Sequence, residues 1–126
     1  MGTYIDGFVF PVKTDSLKAY QKVAMAVAEI WQEHGALAYQ EFVADDPHLS
    51  GTLAFNKALA AKENETVVFG WVVFASREAR DLANAKVAAD PRMAELVGPL
   101  VAAPDPIFEA SRMAYGGFKS LVQSPT

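Results

Sequence analysis

The sequence predicts an α+β protein with element order β-α-β-β-α-β, and three observations carry that prediction. Val67 to Phe74 (VVFGWVVF) has no polar side chain, and its eight residues are too short for a helix core or a membrane span, so it reads as a strand buried on both faces. Tyr20, Ala24, Val27, Trp31 and His34 recur at spacings of four, three, four and three, the apolar stripe of a helix. Extended, β-rich segments lie towards both ends, at Tyr4 to Val12 (YIDGFVFPV) and Arg112 to Val122 (RMAYGGFKSLV).

The elements follow in order. Pro11 suits the end of the first strand. Thr14, Asp15 and Ser16 offer caps for the first helix, which runs about five turns to Gly35. Leu37 to Asp45 mixes apolar and polar positions, as a strand near a sheet edge does, and Asp46-Pro47 ends it. The connection from Asp46 to Asn64 is long at nineteen residues, with an amphipathic turn expected around Leu53 to Ala60. Ser76 caps a second helix, Arg77 to Ala89, with Ala79, Leu82, Ala83 and Val87 inward, and Asp90-Pro91 starts a short third one. Pro99, Pro104 and Pro106 mark an irregular crossing before the last strand, where Gly116-Gly117 signals a bend or a close backbone approach.

Right-handed crossovers turn this order into a ferredoxin-like βαββαβ fold, a four-stranded antiparallel sheet with both main helices on one face. Two helices cover one face. Yet Val67, Phe69, Trp71 and Val73 alternate with Val68, Val72 and Phe74, and leaving the second set in water would forfeit roughly 5–9 kcal/mol at ~1.5–3 kcal/mol each. The other face is therefore expected to meet an identical sheet in a homodimer, and Val68→Glu or Val72→Glu is expected to change stability or mass.

Length and charge bound the rest. The 126 residues fit a single domain, 1–126, and 52% hydrophobic residues supply a core. A net charge of −4, with Lys and Arg scattered, offers no basic stripe for nucleic acid or anionic membrane. There is no cysteine for a disulfide, a thiolate metal site or a nucleophile, and the N-terminus carries no signal-peptide pattern, so a cytoplasmic location is expected.

The segments YIDGFVFPV, W-x-E-H-G-A at Trp31 to Ala36, ETVVFGWVVFASREARD, the DPRM turn and RMAYGGF together resemble the small YbaA-like bacterial family of unknown function. The resemblance covers nearly the whole chain in order. It implies a dimeric α+β barrel, in which two ferredoxin-like sheets pack face to face, a superfamily that includes cofactor-independent monooxygenases, haem enzymes and ligand-binding regulators. It transfers no catalytic residue.

Candidate site residues come from chemistry. His34 closes the helical stripe beside Trp31, where the helix C-terminus favours its protonated form; the competing reading is a helix-end histidine bonded to a terminal carbonyl. His48 sits in the long polar connection. Asp6 is a lone carboxylate in an apolar strand and needs a partner, with Arg112 and Lys119 on the last strand as candidates. Its two readings are a structural ion pair and a proton-transfer group. Glu41 lies mid-strand as a general base lining a cleft or as an edge carboxylate facing water. Trp71, Phe69, Tyr39 and Tyr115 could form an aromatic wall for a flat ligand, although a core or dimer seam needs the same residues.

No triad, phosphate loop or nucleotide fingerprint is present, and the spacing of the histidines argues for no metal, haem or other cofactor. The function expected is binding of a small apolar or aromatic metabolite in a pocket between helix and sheet, with proton-transfer or cofactor-free oxygenase-type chemistry. The alternative is a non-catalytic homodimeric binding or assembly module.

Overall fold

Alternation along the strands decides which side chains meet the helices, and the sheet keeps it from end to end. The computed structural model describes residues 2–102 and 104–124, so Met1, Ala103, Pro125 and Thr126 of the expected 1–126 domain lie outside the described residues. Four strands, β1 (Tyr4–Lys13), β2 (Ala38–Val43), β3 (Glu65–Phe74) and β4 (Ala114–Lys119), form one antiparallel sheet in the order β2-β3-β1-β4. The long helix α1 (Leu17–Glu33) follows a 3-10 turn at Thr14–Ser16. A four-residue helix α2 (Phe55–Ala58) interrupts the connection before β3, and α3 (Arg77–Ala89) and α4 (Pro91–Val101) precede β4. This is the ferredoxin-like βαββαβ fold read from the sequence. No helix among the described residues is long and apolar enough to cross a membrane.

Side-chain caps start α3 and α4, whereas α1 begins after Ser16 with no side-chain cap bond, its entry set by the 3-10 turn instead. The Ser76 hydroxyl accepts the Ala79 N–H at 3.1 Å, and Asp90 Oδ1 accepts the Arg92 N–H at 3.0 Å with Pro91 at the first helical position. Two features of this region differ from expectation. Pro99 lies inside α4, which runs on to Val101, and the last strand begins at Ala114, because Ala110–Arg112 closes into a 3-10 turn.

One face of the sheet carries the core. Phe8, Phe10 and Val12 of β1 and Val68, Val72 and Phe74 of β3 are buried beneath the helix layer, joined by Ala83, Leu100 and Phe108. Each fully buried side chain of this size contributes ~1.5–3 kcal/mol. Val68 and Val72 thus face the helices, and glutamates there would probe the core rather than a partner. In α3 the inward positions are Ala79, Arg80, Ala83, Asn84 and Val87, while Leu82 is exposed, a correction to its expected place: it lies one helical step, about 100°, from Ala83.

The opposite face is covered at one end only. Phe55 of α2 packs its ring 5.8 Å from that of Phe69, and Ala54 beside it is buried, so the long connection caps this end, where Val67 is buried. Beyond it Phe69, Phe42 and Phe118 are 43%, 51% and 59% exposed. They form an apolar surface with Trp71, whose ring stands 5.2 Å from Phe42.

Candidate functional site

Between the helix layer and the sheet lies a cavity of about 230 Å³. Phe8, Tyr39, Val72 and Tyr115 line it from the sheet, and Tyr20, Trp31 and Val97 are among the residues lining it from the helices. Phe8 is its aromatic floor, with Tyr115 stacked 5.8 Å to one side and Tyr39 6.2 Å to the other. Gly70 makes room for that ring: a Cβ there would come within 2.6 Å of both the Phe8 ring and the Gln40 carbonyl oxygen.

Each flanking tyrosine ties the cavity to a carboxylate. Tyr115 donates its hydroxyl to Asp6 Oδ2 at 3.2 Å, and Arg80 of α3 donates to Asp6 Oδ1 at 2.9 Å. Arg80 also reaches the Tyr4 hydroxyl and lies 4.9 Å over the Tyr4 ring. The bare Gly117 leaves this space free, since a Cβ there would approach the Arg80 guanidinium to 3.0 Å. Asp6 is fully buried, and burial pushes its carboxyl above the usual range, against the charge of Arg80 and hydrogen bonds from Tyr115, Arg80 and Asn84 that pull it down. The Tyr115 phenol is pushed up by burial and by the charge of Asp6.

On the other side Glu41 joins α1 to β2. Its carboxylate accepts the Tyr39 hydroxyl at 2.6 Å and, through its other oxygen, the hydroxyl of Tyr20. Burial first, and then the charge of Glu41, drive both phenols upward, so Tyr20 and Tyr39 stay protonated and donate to Glu41.

Comparison with known proteins fits this architecture. The family described as "Protein of unknown function (DUF1428)" matches residues 3–102, and the Uncharacterized protein YbaA of Escherichia coli K12 is 40% identical over 119 residues, 94% of this chain and 97% of that protein. The chain belongs to this family. Among solved structures, a NIPSNAP family protein of unknown function from Agrobacterium tumefaciens matches with a TM-score of 0.63 at 17% identity, over 98% of this chain and 93% of that one. SnoaB from Streptomyces nogalater, a cofactor-independent oxygenase, matches with a TM-score of 0.63 at 15% identity over the full length of both chains. At such identities the likeness shows the fold alone, the ferredoxin-like α+β arrangement.

The other residues singled out from sequence lie elsewhere in this DUF1428 chain. Trp71 is on the opposite sheet face, its indole N–H donating to Gln40 at 3.0 Å, because its neighbours Gly70 and Val72 take the helix-facing positions. His34 is absent from the cavity lining and contacts Asp90 Oδ2 through Nε2 at 2.9 Å; Asp90 also binds Arg92. His48 contacts the Thr52 carbonyl in the long connection. Arg112 is not the partner of Asp6. The β1–β4 register sets Asp6 opposite Gly117, whereas Arg112 precedes β4 and forks onto both Glu65 oxygens at 2.7 and 2.9 Å. Lys119 stands opposite Tyr4 at the strand end and forms no ion pair among the described residues. No group of three or more metal-ligating side chains occurs among the described residues.

Arg80 and Tyr20 are the site residues the sequence reading passed over. Arg80 carried a signal, four residues beyond the Ser76 cap and three before the buried Ala83, on the face that meets β1. Tyr20 was legible as part of the α1 stripe, but its carboxylate partner comes from β2.

The Glu65–Arg112 pair makes a pH prediction. The Arg112 guanidinium hydrogen-bonded to Glu65 lowers its carboxyl to about 2, below the ordinary value of about 4.3. The folded value is depressed, so this contribution is complete above pH ~4.3 and is lost as pH falls towards ~2. Glu65→Gln should cost roughly 1–3 kcal/mol near neutrality and flatten the acid limb of the stability curve in that window, measured by urea unfolding at successive pH values.

Proposed function

We propose that this protein binds a small apolar or aromatic metabolite in the cavity between helix layer and sheet and moves a proton to or from it. The observation that carries this reading is the pairing of an aromatic cavity with a fully buried carboxylate, Asp6, reached through the Tyr115 hydroxyl. A bound carbon or oxygen acid gives its proton to the Tyr115 oxygen while Tyr115 passes its own to Asp6 Oδ2. Asp6 suits the role because burial favours its protonated form. In the cofactor-free oxygenase form of this reading, the ligand left by proton loss is an electron-rich anion that reduces dioxygen; the fold likeness to SnoaB supports that form by analogy.

Tyr115→Phe separates chemistry from binding. Ligand-dependent melting should persist within a factor of two in affinity, while turnover of a phenol or enol substrate should fall about 10²–10⁴-fold, as expected for loss of general acid–base catalysis. Ligand-dependent melting with no product in either protein would support a non-catalytic binding role and overturn the catalytic part.

A second reading is favoured by the apolar face bearing Phe42, Phe69 and Phe118: a homodimer in which that face meets its copy. The two are compatible, since the cavity lies on the other side of the sheet.

A further inference from the structure

The two carboxylates at the cavity differ in what neutralises them. Asp6 has Arg80. Glu41 has two neutral phenols, and none of the ion pairs among the described residues includes it. Each Glu41 oxygen spends one acceptor position on a tyrosine, leaving further lone pairs and an unbalanced negative charge in a half-buried place.

Glu41 also stands behind the tyrosine wall of the main cavity. Tyr20 and Tyr39 line the main cavity, Glu41 itself lines two smaller clefts between α1 and β2, and the small side chain of Ala24 borders all three. A ligand with its body among the rings of the main cavity can therefore bring a polar head past Ala24 to Glu41. The groups around that head are a carboxylate, two aromatic rings and the Gln21 side chain, which lines both smaller clefts with Glu41. A tyrosine hydroxyl already donating to Glu41 offers its oxygen as an acceptor, and both ring faces carry negative potential. The carboxylate, the rings and the Gln21 amide oxygen can all accept positive charge at this end.

Resting on the reading of the cavity as a ligand site, we propose that its ligand is an organic cation: a primary or secondary ammonium on an apolar or aromatic body, with the ammonium held by Glu41 between Tyr20 and Tyr39. Glu41 is then a binding and specificity residue rather than the base, and the Asp6–Tyr115 pair meets the other end of the same ligand.

Phenethylamine, 2-phenylethanol and ethylbenzene share one body and differ in the head, so calorimetric titration of the whole protein near neutral pH tests the head group directly. The amine is expected to bind about tenfold more tightly than ethylbenzene, with the alcohol between them, and Glu41→Gln should erase the amine's advantage while leaving ethylbenzene within about twofold. The wild-type series needs no variant, so a poorly folding Glu41→Gln protein does not decide the matter. Equal binding of all three, an alcohol as tight as the amine, or an advantage that survives in a folded Glu41→Gln protein would overturn the cation assignment and leave the cavity reading standing. Absence of binding by all three would overturn both.

Discussion

Asp6→Ala should destabilise the protein by about 3 kcal/mol, because it removes the buried partner of the Arg80 guanidinium, whose side chain is 16% exposed and keeps only the exposed Asp81 carboxylate, 2.9 Å from its Nε. Arg80→Met should cost at least as much near neutrality, since a lone carboxylate beneath α3 has no route to water. The double variant Asp6→Leu/Arg80→Met should recover much of the loss, because a buried pair offsets its own desolvation poorly compared with apolar packing. The pH dependence separates this from simple loss of packing. A carboxylate raised above its unfolded value binds its proton more tightly in the folded state, so its ionisation costs stability as pH rises from about 3.9 towards the folded value. Removing Arg80 raises that value further. Arg80→Met should therefore lose less, relative to wild type, at pH ~5 than at pH ~8. Equal losses at both pH values, measured by urea unfolding, would show that Asp6 does not depend on Arg80 for its charge.

Phe69→Glu combined with Phe118→Glu should convert a dimer of the 13.6 kDa chain into a folded monomer, read by sedimentation at micromolar concentration. Both rings lie on the open face with Phe42 and Trp71, and truncating or charging a central aromatic of such a surface removes ~2 kcal/mol or more of association. Val68→Glu makes the contrast. It points into the helix-covered core, so it should unfold the chain instead of dissociating it. A wild-type protein that sediments as a monomer, or a double glutamate variant that stays dimeric, would contradict the use of this face.

The main lines of the fold were legible because they rest on local patterns. VVFGWVVF announced a strand with two apolar faces, the α1 stripe announced its helix, and Ser76 and Asp90-Pro91 marked helix starts where the hydrogen bonds now lie. Pattern also carried the four-stranded antiparallel sheet with both main helices on one face, through the handedness of the crossovers. The site was legible in part. Tyr39, Tyr115 and Trp31 line the cavity, and Asp6 and Glu41 bond to its tyrosines. Their partners are distant in the chain, however: Asp6 meets Arg80 across 74 positions, and Glu41 meets Tyr20 across 21. A lone charge in a strand says that a partner exists without saying from which helix. Arg112 looked suitable by strand adjacency, but the register sets Asp6 opposite Gly117, and Arg112, two residues before β4, lies near the other end of the sheet and meets Glu65 at the start of β3. Trp71 was misleading for the opposite reason: it is conspicuous in composition, and one-residue alternation alone puts it on the other side of the sheet.

If the cavity under the helices is the ligand site, the methyls that line it report binding. Methyl NMR during titration with phenethylamine or ethylbenzene tests it most directly, because Val27, Val72, Val97 and Leu100 line the cavity while Ile5, Val9 and Val73 belong to the open face. Saturable shifts concentrated at the first four are expected. Shifts concentrated at Ile5, Val9 and Val73, or none at any of these methyls, would contradict a ligand site in the cavity.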